Sequence, residues 1–105
     1  METQDLEIGA GKTALTGAIV SIHYTGWFNR AKFDTSLSRD PLEFRLGKGE
    51  VLRGWDQGIP GMKVGGKRRL TLPPDFAYGA KGSPGGAIPP NSVLVFEIQL
   101  VDVKN

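Results

Sequence analysis

Side chains able to do covalent or acid–base chemistry are few in this chain. There is one histidine, His23, and no cysteine. That composition excludes thiol catalysis, disulfides, cysteine metal sites and multi-histidine metal centres. No serine or acid is spaced to form a triad with His23. It alternates away from Ile22 and Tyr24 and reads as a surface or rim residue. Asp34, between Phe33 and Thr35-Ser36, reads by itself as a turn residue or cap. Two stretches imitate a phosphate-binding loop. Gly61 to Lys67 fits G-x-x-x-x-G-K, but Arg68 follows where the motif needs Ser or Thr. It also leads into a strand, whereas phosphate binding needs a helix N-terminus. Gly9-Ala10-Gly11-Lys12-Thr13 has the motif's ending, with Leu6 in place of its first glycine. Both read as turns. Lys67-Arg68-Arg69 reads as a solvated strand end.

What the chain has instead is aromatics on elements that must meet. Gly49 to Met62, GEVLRGWDQGIPGM, places Leu52, Trp55 and Ile59 at helical spacing, with Val51 one turn before Trp55. Gly54 and Gly58 each cost about 1 kcal/mol against alanine inside a helix. So short a helix is marginal alone in water. Other structure must hold it, and the glycines let that structure come close. Phe44 and Phe96 lie on predicted strands and Phe76 and Tyr78 in a long loop. A chain this small cannot bury all of them separately from Trp55. An apolar pocket with Trp55 as its floor is the expectation.

Strands must supply the walls. Val20, Ile22 and Tyr24 alternate with Ile19, Ser21 and His23; Leu42, Phe44 and Leu46 alternate with Glu43 and Arg45. Leu70 and Leu72 alternate with Arg69 and Thr71, and Pro73-Pro74 end that strand. From Val93 to Val103, Leu94, Phe96, Ile98 and Leu100 share a face opposite Glu97 and Gln99. The connection Asp75 to Asn91 is long enough to be functional, and its aromatics argue that it is ordered. With 105 residues and 39% hydrophobic content, the chain has material for one domain and one core. Residues 1–105 are read as that domain, with 1–15 an N-terminal extension or edge strand. The pattern predicts an α+β fold of mostly antiparallel strands around one short helix. A net charge of +2 is too small to imply nucleic acid. No apolar run reaches the roughly 18 residues of a membrane span. The N-terminus has no apolar h-region. A cytoplasmic monomer is expected, and a mature exported form with its signal removed stays open.

These blocks together resemble the FKBP family, the macrolide-binding peptidyl-prolyl isomerases. They are VSIHYTGW (Val20 to Trp27), KFDTS (Lys32 to Ser36), GEVLRGWDQG (Gly49 to Gly58), GMKVGGKRRLTLPPDFAYG (Gly61 to Gly79) and IPPNSVLVFEIQL (Ile88 to Leu100). The resemblance implies an antiparallel half-barrel wrapped around the short helix. It makes Trp55 the pocket floor and Tyr24, Phe44 and Phe96 its walls. Glu50, Val51 and Leu52 would bind ligand where the helix begins. Phe33 and Asp34 match the family's pocket phenylalanine and aspartate. Tyr78 and Ile88 would overhang the pocket, Leu42 would sit at its rim, and Arg39 would support Asp34 and Tyr24. Tyr24, Asp34, Trp55, Tyr78 and Phe96 would carry the reaction. The implied partners are proline-containing peptides, unfolded proteins and rapamycin-like macrolides, with no metal or cofactor.

The chain departs from common family patterns at the rim. The turn Asn29-Arg30-Ala31 and the segment Arg39-Asp40-Pro41 are each one residue short, and the long loop is one residue long at Gly85-Gly86-Ala87. Ser83 replaces a frequent histidine and Leu42 a frequent phenylalanine. These changes bear on macrolide affinity and peptide preference. There is no inserted flap domain, so strong intrinsic chaperone activity is not expected. The competing reading is a proline-motif or macrolide binding module with incidental isomerase activity. An RNA-binding domain would rest only on the mild positive charge.

Overall fold

A computed structural model of the chain describes residues 1–104. Six strands form one sheet: β1 Glu2–Glu7, β2 Ile19–Phe28, β3 Ala31–Thr35, β4 Leu42–Arg45, β5 Lys67–Leu72 and β6 Leu94–Lys104. The order is β1-β5-β6-β2-β3, and every pairing is antiparallel. The outer edge of β2 is shared. β4 pairs with Ile19 to Ile22, and β3 pairs with Thr25 to Phe28. Alternation on β6 matches the sequence reading: Leu94, Phe96, Ile98 and Leu100 are all buried on the inner face.

β3 is an element that the sequence pattern did not reveal. It returns from β2 through Asn29 and Arg30, both with positive φ. That is the hand of turn that matches the twist of a two-residue hairpin. Ser36 then covers the break before β4. It is 2% exposed, and its hydroxyl accepts from the Tyr24 N–H at 2.8 Å. The same hydroxyl lies 3.0 Å from His23 Nδ1.

The single α-helix, α1, is Arg53–Gly58. It is shorter than the periodic stretch around it, because Gly49 enters with φ +71° and Pro60 follows the end. No side chain caps its start. The Asp56 carboxylate instead accepts from the Gly47 and Gly49 N–H groups at 2.8 and 2.9 Å, tying the entry loop to the helix. The helix lies directly on β5. A β-carbon on Gly54 would collide with Leu72 Cδ2, and one on Gly58 would stand 2.8 Å from Leu70 Cδ2. The helix-weakening glycines are therefore the price of contact with the sheet. Real Cβ atoms do not approach so closely, and both leucines are fully buried.

Arg68 departs from the solvated strand end expected for Lys67-Arg68-Arg69. It reaches under the helix terminus, donating to Gly58 O at 2.8 Å and to Asp5 Oδ1 at 2.6 Å. Its side chain keeps only 14% of its exposure. Arg69 pairs with Glu97 at 2.9 Å. Both phosphate-loop imitations are turns that pack on each other, with Gly11 N–H donating to Val64 O.

The long connection contains two short helical turns, Pro74–Phe76 and Gly79–Lys81, both of the 3-10 kind. Arg53 of α1 stacks over Phe76, 4.6 Å from the ring centre.

Candidate functional site

Between α1, the inner face of the sheet and the long connection lies a cavity of about 330 Å³. That is within the range of small-molecule sites. Its side chains come from elements far apart in the chain. Tyr24 comes from β2, Phe33 and Asp34 from β3, Phe96 from β6 and Tyr78 from the long connection. Glu50, Val51 and Leu52 lead into α1, which supplies Trp55.

Trp55 is the centre of the aromatic packing. Phe96 meets it edge to face, with centroids 5.1 Å apart at 89°. Tyr24 lies 4.9 Å away, tilted by 55°. Phe33 meets Phe96 edge to face at 5.7 Å. These tilted geometries are the ones ring quadrupoles favour. Trp55 is 5% exposed, and its Nε1–H is the one buried side-chain polar group without a partner among the described residues.

The polar edge of the cavity is one small network. The Tyr24 hydroxyl donates to Asp34 Oδ2 at 2.9 Å. Arg39 Nη2 reaches Tyr24 Oη at 3.2 Å, Asp34 Oδ1 at 3.3 Å and Thr35 O at 2.9 Å. The Thr35 N–H donates to Asp34 Oδ1 at 2.8 Å, fixing the carboxylate against its own backbone. Burial raises the Tyr24 pKa above the usual tyrosine value, and the hydrogen bond and charge of Asp34 push the same way; Arg39 opposes them. Tyr78 is also raised, first by burial and then by the charge of Asp34. Both phenols are therefore neutral donors at physiological pH.

The arrangement is an aromatic slot with a few fixed polar groups at its edge. The model of the family described as FKBP-type peptidyl-prolyl cis-trans isomerase matches residues 11–101. The chain belongs to that family. It is 52% identical to an FK506-binding protein of Neisseria meningitidis serogroup A over 102 residues, covering 95% of this chain and 93% of that protein. It is 54% identical to FK506-binding protein 2 of Candida glabrata over 93 residues, covering 86% of this chain and 68% of the relative. Among solved structures, AtFKBP13 superposes with a TM-score of 0.86 at 44% identity, covering 98% of this chain and 91% of that one. FkpA from Escherichia coli gives 0.85 at 43% identity, covering 97% of this chain and 47% of that one. The architecture is the FKBP half-barrel around a short helix.

Within this FKBP fold, four residues expected at the pocket stand outside the cavity lining. Phe44 packs on the Trp55 indole, 6.3 Å between centroids, and is 5% exposed like Trp55 itself, but it is not among the residues lining the cavity. Ile88 is 2% exposed, as buried as Phe96, and is not among the residues lining the cavity. Its N–H donates to Ser83 Oγ at 2.8 Å and its carbonyl accepts from Ser83 N–H at 3.0 Å, which folds it into the core. Leu42 begins β4 at the end of its ladder with β2 and is 38% exposed, unlike Phe44 and Leu46 on the same face. Arg39 acts through Tyr24 and Asp34 without lining the cavity.

Sequence reasoning missed the supporting residues Asp56, Ser36 and Thr35. Each acts on backbone groups that only the fold brings near, and a short polar side chain beside a glycine or a turn carries no distinguishing pattern. His23 stands outside the lining. No cluster of three or more potential metal ligands occurs among the described residues.

Proposed function

We propose that this chain catalyses cis–trans rotation of X–Pro peptide bonds in the Trp55 cavity, and so assists protein folding. The observation that carries the reading is the Trp55 floor with Phe96 and Tyr24 packed on it around an open cavity.

A peptide bond resists rotation by about 18–20 kcal/mol because resonance gives it double-bond character. For X–Pro both isomers are populated, yet they exchange only in tens to hundreds of seconds. Resonance puts partial charge on the amide oxygen and nitrogen, and water stabilises that charge. The aromatic walls withdraw this solvation and favour the twisted amide, in which the resonance is broken. Packing that fits the twisted form better than either planar isomer adds differential binding. Each 1.36 kcal/mol of that difference is tenfold in rate, so about 7 kcal/mol supplies roughly five decades. No bond to a heavy atom is made or broken. Tyr78 supplies a neutral donor for a substrate carbonyl. Tyr24 and Asp34, held by Arg39, orient the polar edge of the slot.

The same slot suits the proline-like ring of a macrolide, and the names of the FK506-binding relatives support that chemistry. The partners proposed are proline-containing peptides, unfolded chains and macrolides of the rapamycin type. The test is a direct X–Pro exchange assay, repeated with a macrolide inhibitor. Accelerated exchange that the macrolide abolishes is the expected result. Tight macrolide binding without any acceleration would establish the competing reading, a binding module.

A further inference from the structure

Successive residues of a strand point to opposite faces. Phe33 and Asp34 are neighbours on β3, yet both line the cavity. The register explains how. Gly26 pairs with Asp34 and Trp27 with Lys32, which leaves Phe33 as the extra residue of a β-bulge. Bulges re-aim side chains beside functional sites.

Opposite this bulge stands Gly26, buried and paired on its other side with Phe96. A β-carbon at this position would lie 2.6 Å from Phe96 Cε1 and 2.8 Å from Phe33 Cζ. Those are the two rings that meet edge to face, at an interplanar angle of 79°. Gly26 has no positive φ, so space and not conformation demands glycine here.

We propose that Gly26 is a positioning residue that sets the width of the cavity, and with it the size of the residue accepted before proline. It acts through Phe33 and Phe96. A methyl group at position 26 pushes both rings off the sheet and into the cavity. The slot narrows, and bulky X–Pro substrates lose more than small ones. The inference rests on the isomerase reading of the site.

The experiment compares kcat/KM for the tetrapeptides Ala-Phe-Pro-Phe and Ala-Ala-Pro-Phe, with thermal melts on every variant. In Gly26→Ala the ratio should fall by at least about fivefold, the scale of a misplaced methyl group in an apolar site. A merely structural role would lower both values together, and a ratio that moves by less than about twofold overturns the inference. The same substitution is then made in Phe33→Leu, which removes one of the two rings that Gly26→Ala would strike and keeps Phe96. There the ratio should still fall, but by less than in the wild-type background, because Phe96 is still struck and contacting residues are non-additive. An equal shift in both backgrounds overturns the proposal. If Gly26→Ala alone does not fold, Phe33→Leu with and without Gly26→Ala decides it: a ratio that falls supports the proposal, and an unmoved ratio overturns it. Wild-type protein inactive on every peptide would sink the isomerase reading only. The inference is then read from a crystal structure of Gly26→Ala, where rings displaced by about 1 Å support it and unmoved rings overturn it.

Discussion

Trp55 and Phe96 meet edge to face at 5.1 Å, although the first is on a six-residue helix and the second on the central strand β6. This contact joins helix to sheet at the bottom of the cavity and makes one surface serve both stability and function.

Phe96→Ala should therefore cost twice over. A buried phenylalanine truncated to alanine loses about 3–5 kcal/mol of stability. The lost wall should lower kcat/KM at least about tenfold, equivalent to 1.36 kcal/mol of differential binding. Denaturant unfolding first establishes that the variant is folded, and the exchange assay follows. A folded variant with full activity would remove Phe96 from the site.

Trp55→Phe should be far milder than Trp55→Ala. The indole Nε1–H is buried without a partner, and an unpaired donor costs about 1–3 kcal/mol. Phenylalanine removes that cost while keeping an aromatic floor. Chemical denaturation should show Trp55→Phe losing less than about half of what Trp55→Ala loses, on the usual scale of 3–5 kcal/mol. Equal losses would mean that the donor is satisfied in solution.

The chain's two tyrosines are both raised in pKa, so its tyrosinate absorbance should show no component at the ordinary value near 10. The linkage to stability has a definite sign. Above pH 10 the unfolded chain has released the phenol protons that the folded chain keeps. Unfolding stability should therefore fall as pH rises from about 10 through the folded pKa values, with no pH dependence from these groups below about pH 9. Replacing Asp34 with asparagine should move both titrations downward, because its charge contributes to each. Spectrophotometric titration of folded protein checks this, and two midpoints at or below 10 would contradict it.

Turnover should survive chelator and stay nearly flat between about pH 6 and 8, because rotation of a bond transfers no proton. Exchange rates measured with EDTA and across that range test the point. A bell-shaped profile abolished by His23→Gln would overturn the mechanism.

A pipecolinyl macrolide such as rapamycin should bind the cavity, compete with peptide and perturb Trp55 fluorescence over the background of Trp27. Leu42 and Ser83, rim positions by the family resemblance, should weaken affinity by about one decade, or 1.4 kcal/mol, without abolishing binding. Calorimetric titration decides the matter. No heat and no competition at high micromolar ligand would mean that the rim or the longer loop at Gly85-Gly86 closes the site.

Much of this arrangement was legible in the residues. The alternation from Leu94 to Leu100 and from Val20 to Tyr24 marks half-buried strands, since period two has no other simple cause. Glycines at 54 and 58 around Trp55 signal a helix pressed against something, and the structure shows Leu72 and Leu70 as that something. β3 was not legible. It has only five residues, holds a bulge that breaks its alternation, and contains Asp34, whose local propensity favours a turn.

By itself, the sequence determined which side chains are apolar, where strands alternate and where the backbone must be bare. Those properties depend on a residue and its near neighbours. Tertiary structure alone decided which aromatics face the opening. Phe44 and Ile88 are as buried as Trp55 and Phe96, yet only the latter two line the cavity. Periodicity assigns a face but says nothing of what lies across from it. The cavity exists only where β2, β3, β6 and α1 converge, and the placement of Asp34 beside Tyr24 depends on a bulge opposite Gly26.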